Sequence, residues 1–148
     1  MKAKRVIFFC AVGAAIVALL AVFLPRPVST LLPGPLDEVN HMGVLYTSED
    51  ADNRFQDADL TEEQADRARA ALEGMVVCYT PAFSRSAGPI PVPNYPLLLY
   101  HDEAADREGY GRIIFDQNGY LYKPGGHRYR ILSGEEEILE VLQDCISE

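Results

Sequence analysis

An uncharged, mostly apolar run of nineteen residues, 6–24, constrains the fold of this chain more than any other part of the sequence. It reads VIFFCAVGAAIVALLAVFL. A helix of that length measures about 28 Å at about 1.5 Å per residue, against a bilayer hydrocarbon core of about 30 Å. Lys2, Lys4 and Arg5 precede the run, and basic residues favour the cytoplasmic side of a membrane. The run therefore predicts a transmembrane anchor, with residues 1–5 as a cytoplasmic tail.

A cleaved signal peptide is the alternative to a retained anchor, because it shares the basic start and the apolar run. Two observations count against cleavage. The run exceeds the roughly 7–15 apolar residues of a signal peptide, and no Ala-x-Ala site follows it. We therefore expect a single-pass protein of the cell membrane whose C-terminal part lies outside the cytoplasm. A secreted protein is the alternative localisation.

The remainder of the chain has the size of one small domain. Residues 25–37 contain four prolines and predict a stiff stalk, which leaves residues 38–148 as an extracytoplasmic domain. The net charge of the chain is −9, and all 22 acidic residues follow residue 36. Such a surface repels phosphate backbones, so nucleic acid is not an expected partner.

Local patterns within the domain predict two helices and several strands. Residues 61–64 (TEEQ) form a capping box, and apolar residues at helical spacing continue to Gly74. The acidic residues 49–59 predict a loop, and the Pro-rich residues 81–96 predict either a long loop or an excursion at a sheet edge. The strands expected in this half span residues 39–46, 75–80 and 97–101, and the second of them is rich in β-branched and aromatic residues.

The last third of the chain predicts a three-strand meander followed by a helix. Residues 112–115 and 120–122 flank the sequence DQNG, whose Asn-Gly supplies the positive φ of a hairpin turn. Residues 128–132 follow as a third strand, and residues 133–136 (SGEE) predict a second capping box. The expected fold is α+β, a mostly antiparallel sheet of about five to six strands with two helices on one face, in the order β-α-β-β-β-β-α.

Residues 95–142 contain several segments that are similar to those of a known group of domains. The segments PLLLYHDEA, IIFDQNGYLY, HRYRIL and SGEEEILEVLQ resemble the C-terminal half of small extracytoplasmic domains in membrane proteins and lipoproteins of Gram-positive bacteria. The Pro-rich residues 81–96 depart from the compact pattern of that group. The resemblance implies a fold and no activity, because the group has no assigned function and therefore supplies no catalytic residue.

The sequence contains no recognisable catalytic or metal-binding motif. His41, His101 and His127 lack the spacing of metal ligands. A calcium-binding loop begun at Asp50 lacks the required Gly and Glu, and neither Gly-x-Ser-x-Gly nor a Gly-rich phosphate loop occurs. We therefore expect no catalytic residue, no cofactor and no metal. An exported enzyme with a site assembled from dispersed residues is an alternative function.

Cys78 and Cys145 are candidates for a disulfide, since both follow the predicted anchor and would meet an oxidising environment. Closing so long a loop would contribute about 4 kcal/mol in the chain-entropy model. Both residues have apolar neighbours in the sequence, so two buried free thiols are the alternative.

A non-catalytic binding module is the function that these observations favour. The expected partners are the lipid bilayer, through residues 6–24, and an unknown extracytoplasmic or cell-envelope protein. A stiff Pro-rich loop loses little entropy on binding, and the candidate recognition residues in and beside it are Phe83, Arg85, Ile90, Val92 and Tyr95. A secreted inhibitor, released by signal cleavage, is a further alternative.

Two tyrosines of the predicted meander raise a separate question. Tyr120 and Tyr122 share one face of their strand because side chains alternate along it. They would either pack beneath a helix or line an exposed binding face. We favour packing beneath a helix, since the closing helix must cover part of the sheet.

Overall fold

A computed structural model describes residues 2–32, 34–47, 55–81, 93–100 and 111–147 of the chain. The α-helices in these ranges are α1 (Lys2–Val22), α2 (Glu62–Gly74) and α3 (Glu135–Ser147). The strands are β1 (Arg26–Pro27), β2 (His41–Thr47), β3 (Phe55–Asp59), β4 (Val76–Thr80), β5 (Asn94–Tyr100), β6 (Gly111–Asp116), β7 (Tyr120–Lys123) and β8 (His127–Ser133). Two short 3₁₀ helices lie at Val28–Leu31 and Leu36–Glu38.

All eight described strands form one antiparallel sheet, in the order β1-β4-β8-β7-β6-β5-β2-β3. The neighbours β6, β7 and β8 are the predicted meander, which the structure confirms. Gly119 has φ 79° at the hairpin turn, as the Asn-Gly sequence predicted. Strands β1 and β3 occupy the two edges of the sheet.

The α+β class is confirmed, but the prediction of five to six strands is wrong because two edge strands escaped the sequence pattern. β3 lies within residues 49–59, predicted as a loop. Among the β3 side chains that the structure describes, Ala58 packs against the core and Asp57 and Asp59 on either side of it are exposed, so acidic residues alternate with a small apolar one. β1 is two residues long and ends in Pro27, which an edge position tolerates because the missing N–H is not needed there.

The prediction of a transmembrane anchor is also corrected. α1 ends at Val22, two residues before the end of the apolar run, and its first turn includes charged residues. The apolar part of the helix, residues 6–22, therefore measures about 25 Å, short of the hydrocarbon thickness of about 30 Å. In the parts of the chain that the structure describes, no helix is sufficiently long and apolar to cross a bilayer. The predicted single-pass membrane location is overturned with it.

The core lies between the sheet and the pair α2 and α3. Fully buried side chains there include Leu72 of α2, Phe115 of β6, Leu121 of β7 and Leu142 of α3. The capping box that starts α2 is confirmed: the Gln64 amide donates to Thr61 Oγ1 at 3.3 Å, and the Thr61 amide donates to Gln64 Oε1 at 2.9 Å. The buried side chains of α2 and α3 hold both helices on one side of the sheet.

The proline-rich segment before β2 contributes to this core. Val28, Leu31 and Leu36 lie within residues 25–37, predicted as a stalk, and all three are buried. The Val28 amide donates to the Met75 carbonyl at 3.0 Å, and the Lys123 ammonium donates to the Leu31 carbonyl. The segment therefore closes the core on the same side of the sheet as the helices.

The second predicted capping box does not form. α3 begins at Glu135, so Ser133 lies too far from its first turn to cap it. Ser133 Oγ instead accepts from the Val76 amide at 3.3 Å and donates to the Gly74 carbonyl at 3.5 Å. The residue thus joins the end of α2 to β4 and β8.

Candidate functional site

The two faces of the sheet differ because side chains alternate along every strand. In the central strands Phe115, Leu121 and Tyr129 belong to the core, so their neighbours point away from α2 and α3. We call this opposite side the outer face. Its residues on β6, β7 and β8 are Arg112, Ile114, Asp116, Tyr120, Tyr122, Arg128 and Arg130.

Arginine and tyrosine side chains are combined at the β7–β8 pair of the outer face. The Arg128 guanidinium carbon lies 4.8 Å from the centre of the Tyr120 ring, a cation–π contact. The register sets Arg130 opposite Tyr120 and Arg128 opposite Tyr122. Arg130 is exposed, as is Arg112 on β6. Within the described ranges, none of the three arginines pairs with a carboxylate.

Arg128 is partly desolvated as well as unneutralised. Its Nε atom is buried and has no hydrogen-bond acceptor among the described residues. A buried donor without an acceptor costs roughly 1–3 kcal/mol. Arg128 interacts with the neighbouring Tyr122 hydroxyl, but no described carboxylate lies within ion-pair distance of its guanidinium, so its charge is open to an anionic ligand.

Asp116 is a buried carboxylate on the outer face, and it accepts hydrogen bonds from its own hairpin. Its Oδ1 accepts from the amides of Asn118, at 2.9 Å, and Tyr120, at 3.0 Å. Its Oδ2 accepts from the Tyr122 hydroxyl at 2.8 Å. Burial, followed by the hydrogen bond to Asp116 and its charge, raises the pKa of Tyr122 to about 12. Tyr122 therefore remains a hydroxyl donor at neutral pH.

The other end of the outer face is acidic. Asp57 and Asp59 on β3 share this face, because Ala58 between them packs against the core. Asp59 Oδ1 lies 2.9 Å from His41 Nε2, and its side chain is 64% exposed. Five strand spacings separate β3 from β8, which amounts to about 24 Å at about 4.8 Å each.

A cleft of about 680 Å³ beside the His41–Asp59 pair is the second candidate site. Its polar lining residues are Asp37, Asn40, His41, Glu62, Asp66 and Arg69. Arg69 is engaged by Asp66 and by the Val39 carbonyl, the latter at 3.1 Å. Among the described residues, no group of three potential ligands is arranged to hold a metal ion. The cleft lining includes no serine, threonine or cysteine that His41 could activate.

Of the five predicted recognition residues, Tyr95 lies in the described part of the chain. Phe83, Arg85, Ile90 and Val92 lie outside the described residues. Tyr95 lies on β5 and packs against the core, and its hydroxyl accepts from the Gln143 amide nitrogen of α3 at 3.3 Å. It therefore belongs to the helix side of the sheet, away from the arginines.

The two cysteines considered for a disulfide are free thiols on opposite sides of the sheet. Cys78 alternates with the buried Val77 on β4, and its Sγ donates to the Phe23 carbonyl at 3.0 Å. Cys145 is buried on α3, with its Sγ 3.7 Å from the Asp59 carbonyl oxygen. Of the two thiols, Cys145 is buried and Cys78 is half-buried.

Tyr120 and Tyr122 lie on the outer face and not beneath the helices, contrary to the interpretation favoured from the sequence. Leu121 between them is the residue that enters the core. Arg128 and Arg130 were not identified as site residues from the sequence. The sequence did contain a pattern that indicates them. Two arginines lie two residues apart on one predicted strand, and two tyrosines have the same spacing on the strand before it.

Comparison with known proteins gives no further guide to this site. No protein-family model matches the chain, and no curated protein or solved structure is similar to it. The resemblance to Gram-positive extracytoplasmic domains therefore stays a prediction.

Proposed function

We propose that this chain is a non-catalytic binding module that holds a protein partner on the β7–β8 part of its outer face. The observation that carries the proposal is the Arg128 guanidinium stacked on Tyr120 at 4.8 Å, with Arg130 exposed beside it. Arginine and tyrosine are enriched among the residues that contribute most to protein interfaces. A stacked guanidinium is also already ordered, so it loses less entropy on binding than a free one.

An exposed apolar side chain lies next to these arginines. Leu132, two residues beyond Arg130 on β8, is 52% exposed. Outside residues 7–24, it is the one large apolar side chain among the described residues that is exposed to this degree. An apolar group bordered by arginine and tyrosine has the composition of a small protein interface.

No second function is proposed. The His41–Asp59 pair could exchange a proton, but the lining of the adjacent cleft offers it no nucleophile to activate. An inhibitor or a dispersed-site enzyme has no specific observation in its favour within the described structure.

The proposal is tested by photo-crosslinking from the full chain in cells. Benzoylphenylalanine in place of Leu132 reports on the outer face, and the same group in place of Glu73, which is exposed on α2, is the matched control on the helix side. We expect a discrete crosslinked protein from position 132 and none from position 73. Crosslinks from position 73 alone, or from neither position, would contradict the proposal.

A further inference from the structure

We infer that the partner presents an extended acidic segment, with two carboxylates two residues apart, to Arg128 and Arg130. The inference rests on the proposed function, because it specifies the chemistry that the same face recognises. The planar guanidinium fork binds carboxylates and phosphates in a bidentate manner, and a carboxylate segment is the occupant that we infer for this face.

The spacing of the arginines selects the geometry of the ligand. Arg128 and Arg130 are two residues apart on β8 and point to the same side. The rise of a strand is about 3.3 Å per residue, so their Cα atoms are about 6.7 Å apart. Side chains at positions i and i+2 of an extended segment have the same separation and also share a face. Adjacent carboxylates on such a segment would point in opposite directions, and only one could reach the arginines.

The overall acidity of the chain does not prevent this interaction. The net charge is −9, but charges are screened over about 8 Å at physiological ionic strength. Asp57 and Asp59 lie on β3, about 24 Å from β8 by strand spacing. A short carboxylate segment on β8 therefore senses the local arginines more strongly than it senses Asp57 and Asp59. A long polyphosphate would extend over the acidic remainder of the surface and be repelled.

Neutral partners of the arginines within the chain do not replace the missing anion. The Tyr122 hydroxyl donates to Asp116 at 2.8 Å and also interacts with Arg128, but it is neutral, and Asp116 accepts from the amides of its hairpin. The rigid hairpin thus holds Tyr120 in place beneath Arg128 while contributing no carboxylate to it. The site is built to receive a negative charge from outside.

Two isomeric peptides test the inference on the full chain. Val-Asp-Val-Asp-Val presents both carboxylates on one face, whereas Val-Val-Asp-Asp-Val has the same composition and charge but presents them on opposite faces. We expect the first peptide to bind about tenfold more tightly, as one additional charge-assisted hydrogen-bonded pair implies. Fluorescence anisotropy of labelled peptides measures both affinities.

Matched variants connect that difference to the site. Arg130→Gln should abolish the preference between the isomers, while Arg67→Gln should leave it unchanged. Arg67 provides the control because it also carries one exposed guanidinium, which pairs with Glu140 and Asp144, each at 3.4 Å, on the helix side. Circular dichroism spectra should show that both variants are folded.

Equal binding of the two isomers would overturn the inference. A preference that survives Arg130→Gln would also overturn it, as would tighter binding of inorganic polyphosphate than of either peptide. Self-association of the full chain would do the same if Arg130→Gln abolished it while the isomers remained equivalent. In each of these cases, a specific crosslink from position 132 would still support the outer face as the binding surface. Loss of that crosslink would instead refute the proposed function itself.

Discussion

At the scale of single residues, the buried carboxylate of Asp116 organises the hairpin beneath the proposed site. It accepts hydrogen bonds from Asn118, Tyr120 and Tyr122, and these bonds fix the turn. A buried carboxylate that lost one of these donors would be partly unsatisfied, at a cost of roughly 1–3 kcal/mol. The Tyr122 hydroxyl is therefore one of the donors on which the hairpin depends.

Tyr122→Phe should lower the free energy of unfolding by about 1–3 kcal/mol at pH 7, because it removes the hydroxyl donor to Asp116 and keeps the ring. Urea denaturation monitored by circular dichroism measures the change. Tyr120→Phe is the control, since Asp116 binds the Tyr120 amide and not its hydroxyl. Equal losses in the two variants would show that the hydroxyl of Tyr122 has no special role.

The same hydroxyl gives the fold an alkaline limit. Its pKa in the folded chain is about 12, above the ordinary tyrosine value of 10.0, so the protonated form is stabilised by folding. This contribution is complete below about pH 10 and is lost as the pH rises to about 12. The stability difference between the wild type and Tyr122→Phe should therefore shrink over that interval, as urea titrations at stepwise higher pH would show. A difference that stays constant up to about pH 12 would exclude this linkage.

At the scale of elements, the start of α3 combines a favourable and an unfavourable position for one carboxylate. Glu135 is the first residue of the helix, where a negative charge interacts well with the helix dipole. Yet its Oε2 lies 2.9 Å from where a Cβ on Gly119 would be, so the side chain is pressed against the hairpin. Burial, and then the charges of Asp116 and Glu136, raise the pKa of Glu135.

Glu135→Gln should stabilise the protein at pH 7. A raised pKa in the folded chain means that folding favours the protonated form, so this group contributes stability at low pH and loses it as the pH rises through the folded value. The gain from the neutral amide should therefore disappear below pH 4.5, the ordinary pKa of a glutamate side chain. Thermal unfolding at pH 7 and pH 4 measures it.

Glu62→Gln is the matched control for that experiment, because Glu62 is the first residue of α2 and is exposed. There the amide should give no gain, since it only removes a favourable interaction with the helix dipole. Stabilisation of similar size in both variants would indicate a general effect of lowering the net negative charge.

The elements also show what a sequence can and cannot reveal. α2 and the β6–β7 hairpin were predictable, because their signals are local: a capping box and an Asn-Gly turn. β3 was not predictable, because at this edge of the sheet exposed aspartates alternate with Ala58, which packs against the core. The strand alternation placed Tyr120 and Tyr122 together, but which face the helices cover depends on long-range packing. The outer-face site could therefore not be assigned from the sequence.

At the scale of the whole molecule, the chain divides into a packed sheet domain and an N-terminal helix, α1, whose described side chains lie outside the core. Every side chain of α1 that the structure describes is exposed, including Phe8 and Leu20. Exposed apolar surface of this extent promotes association. Six residues after the helix ends, Val28 is completely buried, so the boundary of the packed domain lies between these points.

Removing residues 2–22 should leave the melting temperature of the remaining chain unchanged and reduce its self-association. Removing residues 2–31 should lower that temperature, because it deletes the buried Val28 and Leu31, and each buried aliphatic side chain contributes roughly 2–5 kcal/mol. Thermal unfolding and light scattering distinguish the two truncations. Equal melting temperatures would show that the segment is dispensable for the core.

The attachment of β1 has a mechanical consequence. This strand meets its neighbour at Val76 and Val77 alone, and the buried Val28 follows immediately. A pulling force applied through α1 would first peel β1 from the sheet and would then have to extract Val28 from the interior. The weakest step would come first, and the part of the sheet that carries the arginines would keep its shape until the second had occurred.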